Sequence, residues 1–553
     1  MSSALPHLLV VPIVLPLLAA AILLLLGDRR PRFKSIVNVG TTLASLLVSL
    51  AILRQVDADG VPGAIGVYLT ANWEAPFGIV LVADRLSALM LVLASVVSLG
   101  AAVYSTAAWS RAGVYFHPLF QIQLMGLNGA FLTGDLFNLF VFFEVALAAS
   151  YGLQLHGSGW PRVRSGLHYI AVNLLASSLF LVGLAMLYGV MGTLSMADIA
   201  AKLPLVAEVD RGLLHAGAGI LAVAFLTKAA IWPLNSWLVP AYAAASAPVA
   251  AVFTLMTKVG IYTLLRLWTL LFSADAGPSA HFGASVFLYG GLATVVFGVL
   301  GLMASLRLAR IAGFSIIVSS GTLLAAIGVG GAGVTSAALF YLLSSTLAVA
   351  ALFLLVDLLE RTGTGERLPL VEVGLEPGED TNLDDDETPL VGRAIPASLA
   401  LLGLAFIACV LLVAGLPPLS GFVAKWALMA ALLRPNGLAA AHDSAATPLA
   451  WWLFGLLLLS GLFATISLSR AGIRRFWSTP SSLPTRLRVA EGAPVLALIL
   501  VCAWLTVNAE RVLRYTRAAA ESLHSPKAYI HAVMSTAPVP GLGRSSVDGE
   551  KAP

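Results

Sequence analysis

Four ionisable residues lie deep inside apolar runs of this chain. Glu144 falls within DLFNLFVFFEVALAASYGLQL (135–155) and Lys228 within LLHAGAGILAVAFLTKAAIWPLN (213–235). Lys258 falls within AAASAPVAAVFTLMTKVGIYTLLRLWTLL (243–271) and Lys425 within GLPPLSGFVAKWALMAALL (415–433). If these runs cross a bilayer, each charge costs roughly 2.5–3.5 kcal/mol at mid-depth, so it must be paired, hydrated or neutral. One carboxylate and three lysines in four separate runs do not balance pairwise. At least one lysine is then hydrated or neutral part of the time, and a lysine that alternates between charged and neutral carries a proton. An ion pair that only holds helices together accounts for one such residue better than for four.

Proline points to the same places. Pro233 follows Lys228 by five residues, and the Pro417-Pro418 pair ends seven residues before Lys425. Proline removes a backbone donor and frees a carbonyl, and in lipid such groups need a protein or water partner. Broken helices beside a midplane charge are a recurrent way to build ion sites; a simple packing kink is the alternative. Ser344, Ser345 and Thr346 form a hydroxyl cluster that either satisfies its own helix carbonyls or holds water, a possible relay. His168 and His215 sit near segment starts and read as interfacial residues before they read as relay members. Asp84 and Arg85 are expected to pair at the outer interface, Asp135 to cap a helix, and Arg266 to snorkel or pair. Asp357, Glu360 and Arg361 read as a surface cluster. Cys409 and Cys502 lie in apolar runs as small hydrophobes. No phosphate loop, dinucleotide fingerprint, haem spacing or metal-ligand set is present, so neither cofactor nor metal is expected.

These residues must be positioned by membrane helices. Of 553 residues, 59% are hydrophobic and 11% charged, and the mean hydropathy is +0.92. A soluble protein carries about 25% charged residues, so a soluble enzyme, a disordered chain and a nucleic-acid binder are excluded. Windows of about 20 apolar residues, enough to span a bilayer, fall at 6–27, 35–54, 78–105, 115–133, 135–155, 166–191, 213–235, 243–271, 282–305, 311–330, 335–359, 395–433, 449–470 and 492–512. The expectation is an all-α polytopic membrane protein of about fourteen spans, with 395–433 a single broken helix and Thr133-Gly134-Asp135 a close hairpin. The first run has no basic residue before it and Arg29, Arg30, Arg32 and Lys34 after it, which fits a retained helix rather than a signal peptide. Loops after odd-numbered spans hold seventeen Lys or Arg, against four after even-numbered spans. By the positive-inside rule both termini face outside, although Arg511, Arg514, Arg517 and Lys527 pull the other way. The acidic stretch 360–394 reads as a solvated loop and 513–553 as a polar tail.

Three stretches carry a family resemblance: TGDLFNLFVFFEVALAASYGL (133–153), FLTKAAIWPLNSWLVPAYAAASAPVAAVFTLMTKVGIYTLLRL (225–267) and GLPPLSGFVAKW (415–426), with DRLSALM (84–90) in support. The chain resembles the antiporter-like proton-translocating subunits shared by respiratory complex I and Mrp-type (Pha/Sha) cation/proton antiporters, and within them the D-type branch of the Mrp subunits. The resemblance implies two inverted five-helix repeats, spans 4–8 and 9–13, with spans 7 and 12 broken at Pro233 and at Pro417-Pro418. By the same resemblance 1–105 holds three preceding spans, 115–271 and 282–470 the repeats, and 492–512 the last span. It implies that Glu144 and Lys228 are the glutamate–lysine pair, Lys258 the connecting residue and Lys425 the terminal residue of the proton path. It also implies Na⁺ or K⁺ exchange for H⁺, a hetero-oligomeric complex, and a bacterial inner membrane. One departure stands out. Relatives often read YLLHSTLAKAALF, whereas this chain reads YLLSSTLAVAALF, with Ser344 at the histidine position, followed by Ser345, and with Val349, so the step from Lys258 to Lys425 falls to hydroxyls and water. The rivals are a proton-pumping subunit of a quinone oxidoreductase or membrane-bound hydrogenase, and a scaffold that transports nothing.

Overall fold

The computed structural model describes residues 5–27, 30–58, 65–107, 115–157, 159–363, 397–433, 448–476 and 487–539. The expected acidic loop lies outside them from 364 onward, and the tail from 540 onward. The described chain is helical apart from one short antiparallel pair, β1 (Gly66–Leu69) with β2 (Val80–Ala83), in which Gly66 faces Ala83. The helices are α1 (Leu5–Leu8), α2 (Val11–Leu25), α3 (Pro31–Val56), α4 (Arg85–Ser105), α5 (Phe116–Leu132), α6 (Leu136–Gln154) and α7 (Trp160–Met191). There follow α8 (Met196–Lys202), α9 (Glu208–Lys228), α10 (Leu238–Ala244), α11 (Ala247–Leu271), α12 (Ala284–Ala304), α13 (Leu308–Val329) and α14 (Ala332–Gly363). The chain ends in α15 (Ala397–Ala414), α16 (Ser420–Leu433), α17 (Pro448–Phe476), α18 (Val489–Val507), α19 (Ala509–Leu523) and α20 (Lys527–Met534).

Among the described residues, twelve helices are long and apolar enough to cross a membrane, and the shorter α2 and α5 carry the two remaining expected spans. The protein is a polytopic all-α membrane protein. Two local details differ from expectation, and the expected hairpin and cap at Asp135 are present. Residues 80–83 of the third window are strand, because helix α4 starts only where the Asp84 carboxylate accepts the Ser87 N–H at 2.9 Å. The Thr133–Asp135 hairpin is pinned to that strand by Gly134 N–H donating to Val80 O at 2.9 Å, and Asp135 caps α6 through the Asn138 N–H at 2.9 Å. The last window stops at Val507, and the tail continues as α19 and α20.

Burial sorts the helices. The apolar stretch of α11 is buried throughout, with α14 at 94% and α13 at 83%, against 28% for α3 and for α17. So α11, α13 and α14 form the centre, and the helix bearing Lys258 has no lipid-facing side in the monomer. Helices without a hydrophobic drive between them need close backbone approach, which small residues permit. A Cβ on Gly291 of α12 would stand 2.4 Å from Ala325 N of α13, so these two backbones touch only because both contact faces are small.

Candidate functional site

Each of the three lysines is placed by a broken or central helix. Helix α9 ends at Lys228, Ala230 turns to a φ of 55°, and the Ile231 N–H reaches back five residues to Leu226 O at 3.0 Å. The groups this break frees are satisfied from neighbours. The Thr227 carbonyl accepts from Trp237 Nε1 at 3.2 Å, and the Trp232 N–H donates to Thr294 Oγ1 of α12 at 3.0 Å. The second break repeats the pattern. Gly415 has a φ of 76°, and the Leu416 N–H reaches five residues back to Leu411 O at 2.9 Å. Here the freed carbonyl of Ala414 is taken by Lys425 itself, whose Nζ donates to it at 3.0 Å. Pro233 and Pro418 each stand two residues after the five-residue bond, and Pro417 lies inside the second break.

Glu144 and Lys228 meet between α6, α7 and α9. Their charged atoms are 3.7 Å apart, and Ser177 of α7 joins them, donating to the carboxylate and accepting from Lys228 Nζ at 3.1 Å. The ammonium also stands 5.3 Å from the centroid of the Phe143 ring. The pair is asymmetric: the Glu144 side chain is 28% exposed and that of Lys228 only 2%. The carboxylate therefore reaches the flank of the bundle and the lysine faces inward.

Lys258 and Lys425 have no carboxylate within 4.0 Å among the described residues. Lys258 Nζ donates to Ser319 Oγ of α13 at 2.8 Å, and Ser319 meets Ser345 Oγ of α14 at 2.9 Å. Beyond Ser345 lies a cavity of about 20 Å³, bounded by Ser319, Ser344, Ser345, Val349, Lys425 and Ser460 among others. That is enough for a water molecule with several polar partners. On its far side Lys425 Nζ also donates to Ser460 Oγ at 3.3 Å. A polar track thus runs from Lys258 through two hydroxyls and a hydratable space to Lys425. Among the described residues no direct hydrogen bond joins Lys228 to Lys258: the first points back to Ser177, the second forward to Ser319.

The expected hydroxyl cluster divides. Ser345 lies on the track, Ser344 bonds Ser420 at the start of α16 at 2.8 Å, and Thr346 returns to its own Leu342 carbonyl at 2.6 Å. The histidines stand apart. His168 meets Ser236 at 3.3 Å on an exposed edge, and His215 meets Ser279 at 3.0 Å while stacking on Phe282. Ser177, Ser319 and Ser460 are the contributors that sequence reasoning missed.

Two other clusters correct expectations. Asp84 does not pair with Arg85. It takes both guanidinium nitrogens of Arg266 at 2.6 Å, fully enclosed, while Arg85 turns to Asp57 at 3.4 Å. Tyr262 and Tyr529 lie against Arg266, with ring centroids 5.7 and 5.4 Å from its guanidinium carbon. The Asp357–Arg361 group is not a loose surface cluster: Arg361 bridges Asp357 and the buried Glu491 of α18, and the Tyr104 hydroxyl of α4 donates to Asp357 at 2.6 Å.

Comparison with known proteins places the chain in a family. A family model described as "NADH:quinone oxidoreductase/Mrp antiporter, TM" matches residues 133–443. The D subunit of a probable K(+)/H(+) antiporter of Rhizobium meliloti is 50% identical over 97% of this chain and 99% of its own length. The D subunit of an Na(+)/H(+) antiporter of Alkalihalophilus pseudofirmus is 34% identical over 96% of this chain and 99% of its own. A chain in the structure of the Mrp complex from Dietzia sp. DQ12-45-1b superposes with a TM-score of 0.81 at 27% identity, over 97% of this chain and 100% of that one. A chain of respiratory complex I from Thermus thermophilus shares the fold, with a TM-score of 0.73 at 21% identity over 96% of this chain and 100% of its own length. The protein belongs to the membrane-subunit family common to NADH:quinone oxidoreductase and the Mrp antiporters.

Proposed function

We propose that this chain is the proton-carrying subunit of a multisubunit antiporter that exchanges H⁺ for Na⁺ or K⁺ across a bacterial inner membrane. The observation that carries this reading is the track Lys258–Ser319–Ser345–cavity–Lys425, a line of proton-exchanging groups with no carboxylate beside them among the described residues. The relatives, a potassium antiporter subunit in one case and a sodium antiporter subunit in another, support cation exchange and leave both ions to be measured. Other subunits of the complex are its partners, and the exposed edge of Glu144 is where a neighbour can act. Both termini face outside. The repeats are α5–α11 and α12–α17, and their corresponding broken elements are α9–α10 and α15–α16, which share the five-residue bond and the left-handed residue before it.

In this mechanism the Glu144–Lys228 pair is the gate. Two charges ~4 Å apart attract by about 4 kcal/mol at an effective dielectric near 20, which holds the proton on Lys228. When a partner or a proton draws Glu144 outward, that attraction is lost and the buried ammonium gives up its proton. Lys258 takes it by way of water or side-chain movement, since the lysines do not touch. Ser319 and Ser345 then pass it to the cavity and Lys425, which exchanges with one side of the membrane.

The test is cation-driven proton flux in everted vesicles of an antiporter-deficient host, with all partner subunits present. With wild type, flux follows added Na⁺ or K⁺; with Lys228→Ala it is lost while the complex still assembles. Flux untouched by Lys228→Ala and Glu144→Gln would leave the chain a scaffold. No cation-driven flux even in wild type would favour a redox-driven role.

A further inference from the structure

Helix α3 carries a polar stripe that the proton track does not use. Lys34, Asn38, Thr42, Ser45 and Ser49 follow one another at steps of four, four, three and four residues, so they share one helix face. That face is turned inward: Lys34 is 4% exposed and the other four 0%. Polar side chains of α4 and α5 meet it. Ser35 Oγ and His117 Nε2 are 3.3 Å apart; Gln121 Nε2 donates to Asn38 Oδ1 at 2.6 Å and to Thr42 Oγ1 at 3.0 Å; Ser49 meets Ser95 at 3.1 Å. Yet the wedge is under-satisfied. Asn38 Nδ2, Ser45 Oγ, Ser98 Oγ, His117 Nδ1 and Gln121 Oε1 are buried with no hydrogen-bond partner among the described residues.

Buried polar groups in proteins are nearly always bonded, to protein or to ordered water, and in a bilayer the penalty for leaving one bare is larger. Unpartnered atoms recurring along one stripe are what a file of water would satisfy. Lys34 to Ser49 is fifteen residues, about 22 Å of helix, against a hydrocarbon core of ~30 Å. Past Ser49 the stripe closes on Ile52 and Val56, at 0% and 1% exposure. The polar stripe therefore begins at the Lys34–His117 end, both residues themselves buried, and stops before the other end.

We propose that α3, α4 and α5 enclose a blind, water-filled half-channel, entered beside Lys34 and His117 and ending near Ser49 and Ser95, that admits protons to mid-membrane. Protons rather than metal cations are its cargo. A lysine stands at its mouth, its walls carry no carboxylate among the described residues, and a histidine and hydroxyls at hydrogen-bond spacing suit proton hopping. It lies outside the lysine track, so its failure leaves that track intact.

Silver ion, a small probe that reacts with hydrated thiols, tests it in the complete complex. Cys409 and Cys502 are first replaced by alanine, and Ser45→Cys, Ser98→Cys and Ile52→Cys are introduced singly. Right-side-out and everted vesicles are exposed to silver, and the surviving thiols are counted after denaturation. The expected result is that the thiols at 45 and 98 react from one membrane side only, at least tenfold faster than the thiol at 52. Equal, slow reaction at all three sites means a dry packing seam and overturns the proposal; fast reaction at 52 means a through-path and overturns it as well. For the proton role, Asn38→Leu with Gln121→Leu should lower cation-driven proton flux at least threefold in assembled complex. Unchanged flux in that variant, with 45 and 98 still reactive, overturns proton entry by this route.

Discussion

Lys258 donates to Ser319 at 2.8 Å, and Ser319 passes on to Ser345 at 2.9 Å. A hydrogen bond to a charged group is worth about 1.5–3 kcal/mol, so Ser319→Ala should slow cation-driven proton flux by about tenfold or more in complex that assembles normally. Ser345→Ala should slow it less, since water in the adjoining cavity can replace a hydroxyl there. Thr346→Val should transport as wild type, because its hydroxyl is tied to its own Leu342 carbonyl. Comparable losses in all three variants would mean that α14 is merely sensitive to substitution. The lysines and Glu144 were legible in the sequence because a charge in an apolar span is expensive. Ser177, Ser319 and Ser460 were not. A hydroxyl in a membrane helix commonly serves its own backbone, and α13 is buried on nearly every side, so no periodicity marks the face that meets α11. Adjacency misled at Asp84: the neighbour in sequence, Arg85, was expected as partner, and the true one lies 182 residues away.

At the scale of the element, the two breaks share a backbone path and differ in what stands at the left-handed position. Gly415 leaves no room for a side chain: a Cβ there would lie 2.6 Å from Lys425 Cδ, at a φ of 76°. Gly415→Ala should therefore displace Lys425 from the Ala414 carbonyl and abolish most flux, with the complex still recovered from membranes. At the matching position Ala230 already accepts a φ of 55°, a region that disfavours L-residues by about 1–2 kcal/mol. Ala230→Gly relieves this and should leave transport within about twofold of wild type. Both assays use the same vesicles, and normal flux in Gly415→Ala would show that the break does not set the position of Lys425. Proline announced where the helices break. It did not announce that one freed carbonyl would be answered by a lysine eleven residues further on, because that depends on how α16 folds back against the end of α15.

Across the whole molecule, the buried Asp84–Arg266 pair ties the start of α4 to the C-terminal part of α11, and α20 brings Tyr529 against it. Helix α19 fastens the same end: Tyr515 donates to the Arg85 carbonyl at 2.8 Å, and Thr516 and His524 meet Ser336 and Thr335 of α14 at 3.1 and 2.9 Å. Removing one partner of a buried ion pair typically destabilises by about 3–5 kcal/mol, whereas replacing both with apolar groups is far milder. Arg266→Met alone should sharply lower the melting temperature of the purified complex, and adding Asp84→Leu should restore most of it; a double variant as unstable as the single would assign the loss to packing. Synthesis adds an order to these contacts. The ribosome completes Tyr529 some 260 residues after Arg266, roughly 10–50 s later at about 5–20 residues per second. For that interval the salt bridge waits under an unfinished roof, and the segment that covers it emerges only after α18 and α19. Closure of this end of the bundle is thus a late event in the birth of the protein, placed after α18 has been made.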